Sequence, residues 1–127
     1  MDIETVREWC AMFGWHSVDV DDCTLRICRD EQFSLPFLLR VTPNWLLLKI
    51  MPAIPPHQDR AMLPEDLSRR LLAVNRDLRL AKFATESDGC ISLAAELPTE
   101  LLKPSQLYDI IVRMPRYVDH YREYLSG

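Results

Sequence analysis

The chain has 127 residues, a formal net charge of −4, 48% hydrophobic residues and 27% charged residues. That length and balance suit a single domain spanning residues 1–127 with a real core, and exclude a disordered chain. A net acidic chain lacks the basic footprint of a nucleic-acid binder, so no nucleic-acid partner is expected.

The charge is uneven. Residues 1–31 hold eight acids against Arg7, Arg26 and Arg29, whereas the remaining 96 residues carry a net charge of +1. The opening MDIETVREWC has no apolar run of the signal-peptide kind, and Trp45-Leu46-Leu47-Leu48 stops at Lys49. A cytoplasmic protein with no membrane partner is expected, with Cys10, Cys23, Cys28 and Cys90 as reduced thiols.

In chain order, Ile3, Val6, Cys10 and Phe13 fall on one helical stripe, with Asp2 placed to cap its start and Gly14 to end it. A strand follows the pair Asp21-Asp22, with Cys23, Leu25 and Ile27 alternating with Thr24, Arg26 and Cys28. Residues 29–32 turn the chain. Residues 35–42 and 45–51 then form two strands joined tightly by Thr42-Pro43-Asn44. Both are apolar on two sides: Leu38 lies opposite Phe37 and Leu39, and Trp45, Leu47 and Met51 lie opposite Leu46, Leu48 and Ile50. A strand with one wet face should alternate cleanly, so a second covering layer is implied.

The prolines of 52–64 indicate an irregular linker, expected to be mobile, and Pro64-Glu65-Asp66 opens a helix whose stripe is Leu67, Leu71, Val74 and Leu78. Ser87-Asp88-Gly89 then joins two alternating segments, the signal of a hairpin with a tight primed turn. A last helix runs from about 104 to 125, and Pro115 should kink or break it near Met114. The expected fold is α+β, ordered α-β-β-β-α-β-β-α, with helices packed on an antiparallel five-stranded sheet.

Common chemistry is missing from this pattern. Three glycines (Gly14, Gly89, Gly127) cannot assemble a phosphate-binding loop. Cys23 and Cys28 point to opposite sides of one strand, and His16, His57 and His120 have no ligand spacing. The stretch DVDDC lacks the glycine and glutamate of a calcium loop. No catalytic, cofactor or metal residues are therefore assigned. Asn75 beside the helical stripe should hydrogen-bond backbone near the hairpin, and Arg69, Arg70, Arg76, Arg79 and Lys82 form a basic solvated cluster.

The stretch LLAVNRDLRLAKFATESDGCISLAAELP, with its helix, Asn-Arg, strand, Asp-Gly turn, strand and Leu-Pro, resembles the YbjN family of sensory-transduction regulators. That family belongs with the type III secretion chaperones in one fold superfamily. The resemblance is best over 65–125 and implies no catalytic residues; the secretion chaperones are typically homodimers that bind an extended segment of an effector. Pro115 and the doubly apolar WLLLKIM depart from the pattern.

Together these features indicate a non-enzymatic module, chaperone-like or regulatory, that binds a partner protein through apolar sheet and helix surface. Leu38, Trp45, Leu47 and Met51 are the expected partner or dimer surface, and a homodimer is expected. The alternative is a ligand sensor or an enzyme whose site forms only in three dimensions.

Overall fold

The computed structural model describes residues 1–28, 35–54 and 64–126. The elements are α1 (Ile3–Met12), β1 (His16–Asp21), β2 (Thr24–Cys28), β3 (Phe37–Val41), β4 (Trp45–Ile54), α2 (Pro64–Asp77), β5 (Ala81–Thr85), β6 (Ile91–Pro98) and α3 (Pro104–Ser126). The described strands form one antiparallel sheet in the order β1-β2-β3-β4-β6-β5. This is an α+β domain with six strands, one more than expected.

The additional strand is β1. Its sequence, HSVDVD, is polar and largely exposed, and it pairs with β2 through a hairpin at Asp22-Cys23. Its aspartate Asp19 is anchored by Arg7 of α1 at 2.6 Å, and Arg7 also pairs with Glu4. The stretch DVDDC is thus a strand end and turn: the Asp21 carboxylate accepts the backbone N–H of Cys23 at 2.9 Å.

Helix α1 begins as its sequence requires. The Asp2 carboxylate accepts the N–H of Thr5 at 2.9 Å, and Gly14 follows the helix at φ 82°. Of the kink or break expected near Met114, the break is absent: helix α3 runs as one element from Pro104 to Ser126 through Pro115. Proline removes one N–H from the ladder, but its ring is buried here beside Met114 and Val118, and tertiary packing holds the helix together.

Strand β4 also runs further than expected. Pro52, Ala53 and Ile54 belong to it, beyond a cis Met51–Pro52 peptide, with a register shift between Ile50 and Ile54. A register shift is where a strand tolerates proline, because no ladder donor is needed there. Only Pro52 and Pro64 of the expected linker's prolines fall in the described residues; Pro55, Pro56 and His57 lie outside them, as does the turn at 29–32.

The β5–β6 turn departs from the expected primed geometry. Gly89 donates to the Glu86 carbonyl at 3.0 Å, Glu86 donates to the Cys90 carbonyl at 2.8 Å, and only Gly89 has positive φ. This is a turn closed by a left-handed glycine, the arrangement of the longer hairpin loops.

One face of the sheet holds the core. Leu25, Ile27, Phe37, Leu39, Leu46, Leu48, Ile50 and Leu93 are all 1% exposed or less. Helix α1 packs on β1 and β2, α3 on β4 and β6, and α2 on β5 and α3. The helical stripes meet this layer through Val6 and Cys10, Leu67, Leu71 and Val74, and Leu107, Ile110, Ile111, Met114 and Val118. Leu78 is buried just past the end of α2.

Candidate protein-binding face

No described helix lies on the other face of the sheet. Strand alternation sends Trp45, Leu47, Lys49 and Met51 there while Leu46, Leu48 and Ile50 enter the core. Leu38 points the same way from β3, between the buried Phe37 and Leu39. In register, Leu38 faces Lys49, which places it diagonal to both Leu47 and Met51. The four residues expected at a partner surface therefore share one face. Trp45 is 45% exposed and Met51 37%, with Leu38 and Leu47 half-buried.

The register also brings neighbours that sequence reasoning left out of the site. One row across the sheet reads Val18, Arg26, Leu38, Lys49, Ala94, Lys82. The next reads Thr24, Arg40, Leu47, Glu96. The parity of Arg26 and Lys49 within their strands was legible. The pairing that sets them around Leu38 was not.

Lys49 pairs with Glu86 at 2.7 Å. The Glu86 carboxyl is held below its usual range by the Lys49 ammonium, with the Ser92 hydroxyl adding to the effect. Arg26 and Arg40 are exposed, and among the described residues neither forms an ion pair.

Asn75, singled out from its position beside the α2 stripe, completes the edge strand β5. Its Nδ2 donates to the Phe83 carbonyl at 2.9 Å, and its Oδ1 accepts the Phe83 N–H at 2.8 Å. The amide thus behaves as one residue of a neighbouring strand. Lys82 Nζ donates to the carbonyls of Asn75 and Leu78, both at 2.7 Å, satisfying the end of α2. Much of the expected basic cluster has internal partners. Arg70 donates to the Tyr124 carbonyl at 2.7 Å, and Arg69 and Arg76 pair with Asp66 and Asp77.

The residues considered for chemistry are dispersed. Cys10 and Cys90 are buried, Cys23 sits in the β1–β2 turn, and Cys28 ends β2 opposite His16. His120 lies on α3, edge-on to Tyr121. Among the described residues no group of three His, Cys, Asp or Glu side chains could hold a metal ion. No described helix is long and apolar enough to cross a membrane.

No protein-family model matches the chain, and no curated protein matches it significantly. Solved structures do match. A chain of the ExsC–ExsE complex is 19% identical, with a TM-score of 0.70 over 99% of this chain and 98% of that one. A chain of the HopA1–SchA chaperone–effector complex is 17% identical, with a TM-score of 0.67 over 91% and 88%. A chain of the heterodimeric ExoU–SpcU complex from the type III secretion system of Pseudomonas aeruginosa is 21% identical, with a TM-score of 0.60 over 95% and 92%. The chain shares the fold of these chains, one from a type III secretion system complex and one from a chaperone–effector complex.

Proposed function

We propose that this chain is a non-enzymatic protein-binding module, chaperone-like or a regulatory adaptor of the YbjN kind, that takes a partner protein on the open face of its sheet. The carrying observation is that face: Trp45, Met51, Leu38 and Leu47 lie together with no described helix above them. Exposed contiguous apolar surface of this sort marks an interaction site. The fold supports the reading, since it is shared with chaperones whose structures were solved in complexes. A cytoplasmic location and a single domain over 1–127 belong to the same proposal.

Two occupants fit it, a second copy of the chain or a segment of another protein. A homodimer through Leu38, Trp45, Leu47 and Met51 would bury about 1,200–2,000 Å² if of standard size. The enzyme or sensor reading needs a deep cleft that joins thiol, imidazole and carboxylate. The cleft between α2 and α3 contains His120 and Asp77 but no cysteine.

Light scattering and affinity capture, each with wild type and Trp45→Asp, test the proposal. A mass of twice 14.8 kDa that falls with the variant supports the homodimer. A captured protein that is lost with the variant supports a separate client. A monomer whose captured set is unchanged by Trp45→Asp rejects the face as a binding surface.

A further inference from the structure

The open face is not simply apolar. Taken by register, its centre on β2, β3 and β4 presents Thr24, Arg26 and Cys28, then Leu38 and Arg40, then Trp45, Leu47, Lys49 and Met51. None of these nine positions is acidic. Among the described residues the carboxylates around them are Asp21 beside the β1–β2 turn, Glu86 at the β5–β6 turn, and Glu96 on β6, in register with Leu47. Glu86 is already engaged by Lys49, and Arg40 adds to the hydrogen bond from Cys23 that holds the Asp21 carboxyl below its usual range, whereas Arg26 is exposed without an ion pair among the described residues.

A cation placed between exposed apolar side chains is a selection device. The leucines and Trp45 favour any apolar partner, and the arginines favour one that brings negative charge. A second copy could offer the arginines only Asp21, Glu86 and Glu96, of which Glu86 is already engaged by Lys49, whereas a separate segment can bring an acid to each arginine. A nucleic acid is a poor match too, since the whole chain is net negative and the margins of the face are acidic.

We propose that the open face receives a segment of another protein in which apolar side chains alternate with carboxylates, with Leu38, Trp45 and Leu47 taking the apolar groups and Arg26 and Arg40 the acids. This rests on the protein-binding reading above and assigns its partner class.

The probe is a labelled peptide in which leucine and tryptophan alternate with glutamate. Its controls are the same peptide with lysine for glutamate and a single-stranded oligonucleotide, with anisotropy as the readout. The glutamate peptide should bind and weaken as salt is raised. The double variant Arg26→Glu/Arg40→Glu should bind it at least about tenfold more weakly and should gain affinity for the lysine peptide. Both arginines are exposed, so far-UV circular dichroism should show the variant folded. Equal binding of the two peptides, with both lost in Trp45→Asp, overturns the charge assignment and leaves the protein-binding reading standing. Binding of neither peptide overturns the assignment as well, and the capture experiment then decides the broader reading separately. Preference for the oligonucleotide, or a dimer dissolved by Trp45→Asp, overturns it in favour of a nucleic acid or a second copy.

Discussion

Replacing Asn75 by leucine, close in size and apolar, removes a two-bond bridge between α2 and β5. The wild-type amide makes bonds of 2.9 Å and 2.8 Å to the carbonyl and N–H of Phe83, both partly buried. A neutral hydrogen bond contributes about 0.5–1.5 kcal/mol net, so two give about 1–3 kcal/mol. Partial rehydration of the freed Phe83 groups, at a half-buried site, keeps the loss near the middle of that range. Asn75→Leu should therefore destabilise the fold by about 2 kcal/mol. With a urea m-value of about 1–3 kcal/mol/M, the midpoint falls by about 1 M at unchanged slope. Asn75→Asp keeps the acceptor but sets a carboxylate oxygen against the Phe83 carbonyl, so it too should destabilise the fold. Urea unfolding followed by circular dichroism measures both, and hydrogen exchange should show the Phe83 amide losing protection. A change for Asn75→Leu within about 0.5 kcal/mol, with the Phe83 amide still protected, would refute the edge-completing role.

Leu71→Ala removes a side chain, 8% exposed, from the layer between α2 and the sheet, and should cost about 2–5 kcal/mol by the same unfolding assay. Thiol reagents should label Cys23 and Cys28 in the folded protein, with Cys10 and Cys90 reacting only on unfolding. Burial pushes the Cys10 thiol from its ordinary value of 9.0 up to about 11. Its folded-state pKa is thus raised, and the stability it contributes is complete below about pH 9 and lost as pH rises towards about 11. Urea midpoints should fall across that window, and less steeply in Cys10→Ala.

The three helices and the strands β2, β3, β5 and β6 were legible because their apolar residues repeat at the helical or strand period. Strand β1 was not. Its positions toward the helical layer include Ser17 and Asp19, and its place is set by the Arg7–Asp19 pair and by pairing with β2, neither of which leaves a hydrophobic signature. The alternation of Val18 and Val20 before Asp21-Asp22 was its one available signal. Local chemistry made Pro52 the start of a linker and Pro115 a kink or break. A register shift in β4 and a buried stripe along α3 override them. At the open face, parity alone placed Leu38, Trp45, Leu47 and Met51 on common sides of their strands. Which strand lies beside which is a tertiary fact, and it decides that Arg26 and Lys49 flank Leu38.

The two borders of the sheet have a consequence for solubility. A chain that leaves tryptophan, methionine and leucine in water risks stacking into fibrils if a bare strand can template another copy. At one border β5 is already occupied, because Asn75 takes the place of an incoming residue at Phe83. At the other, β1 is short, carries Asp19 and Asp21, and is bulged between them. Both are features that discourage strand-to-strand association between copies. Copies at high concentration can thus keep an apolar face in water without polymerising through their edges.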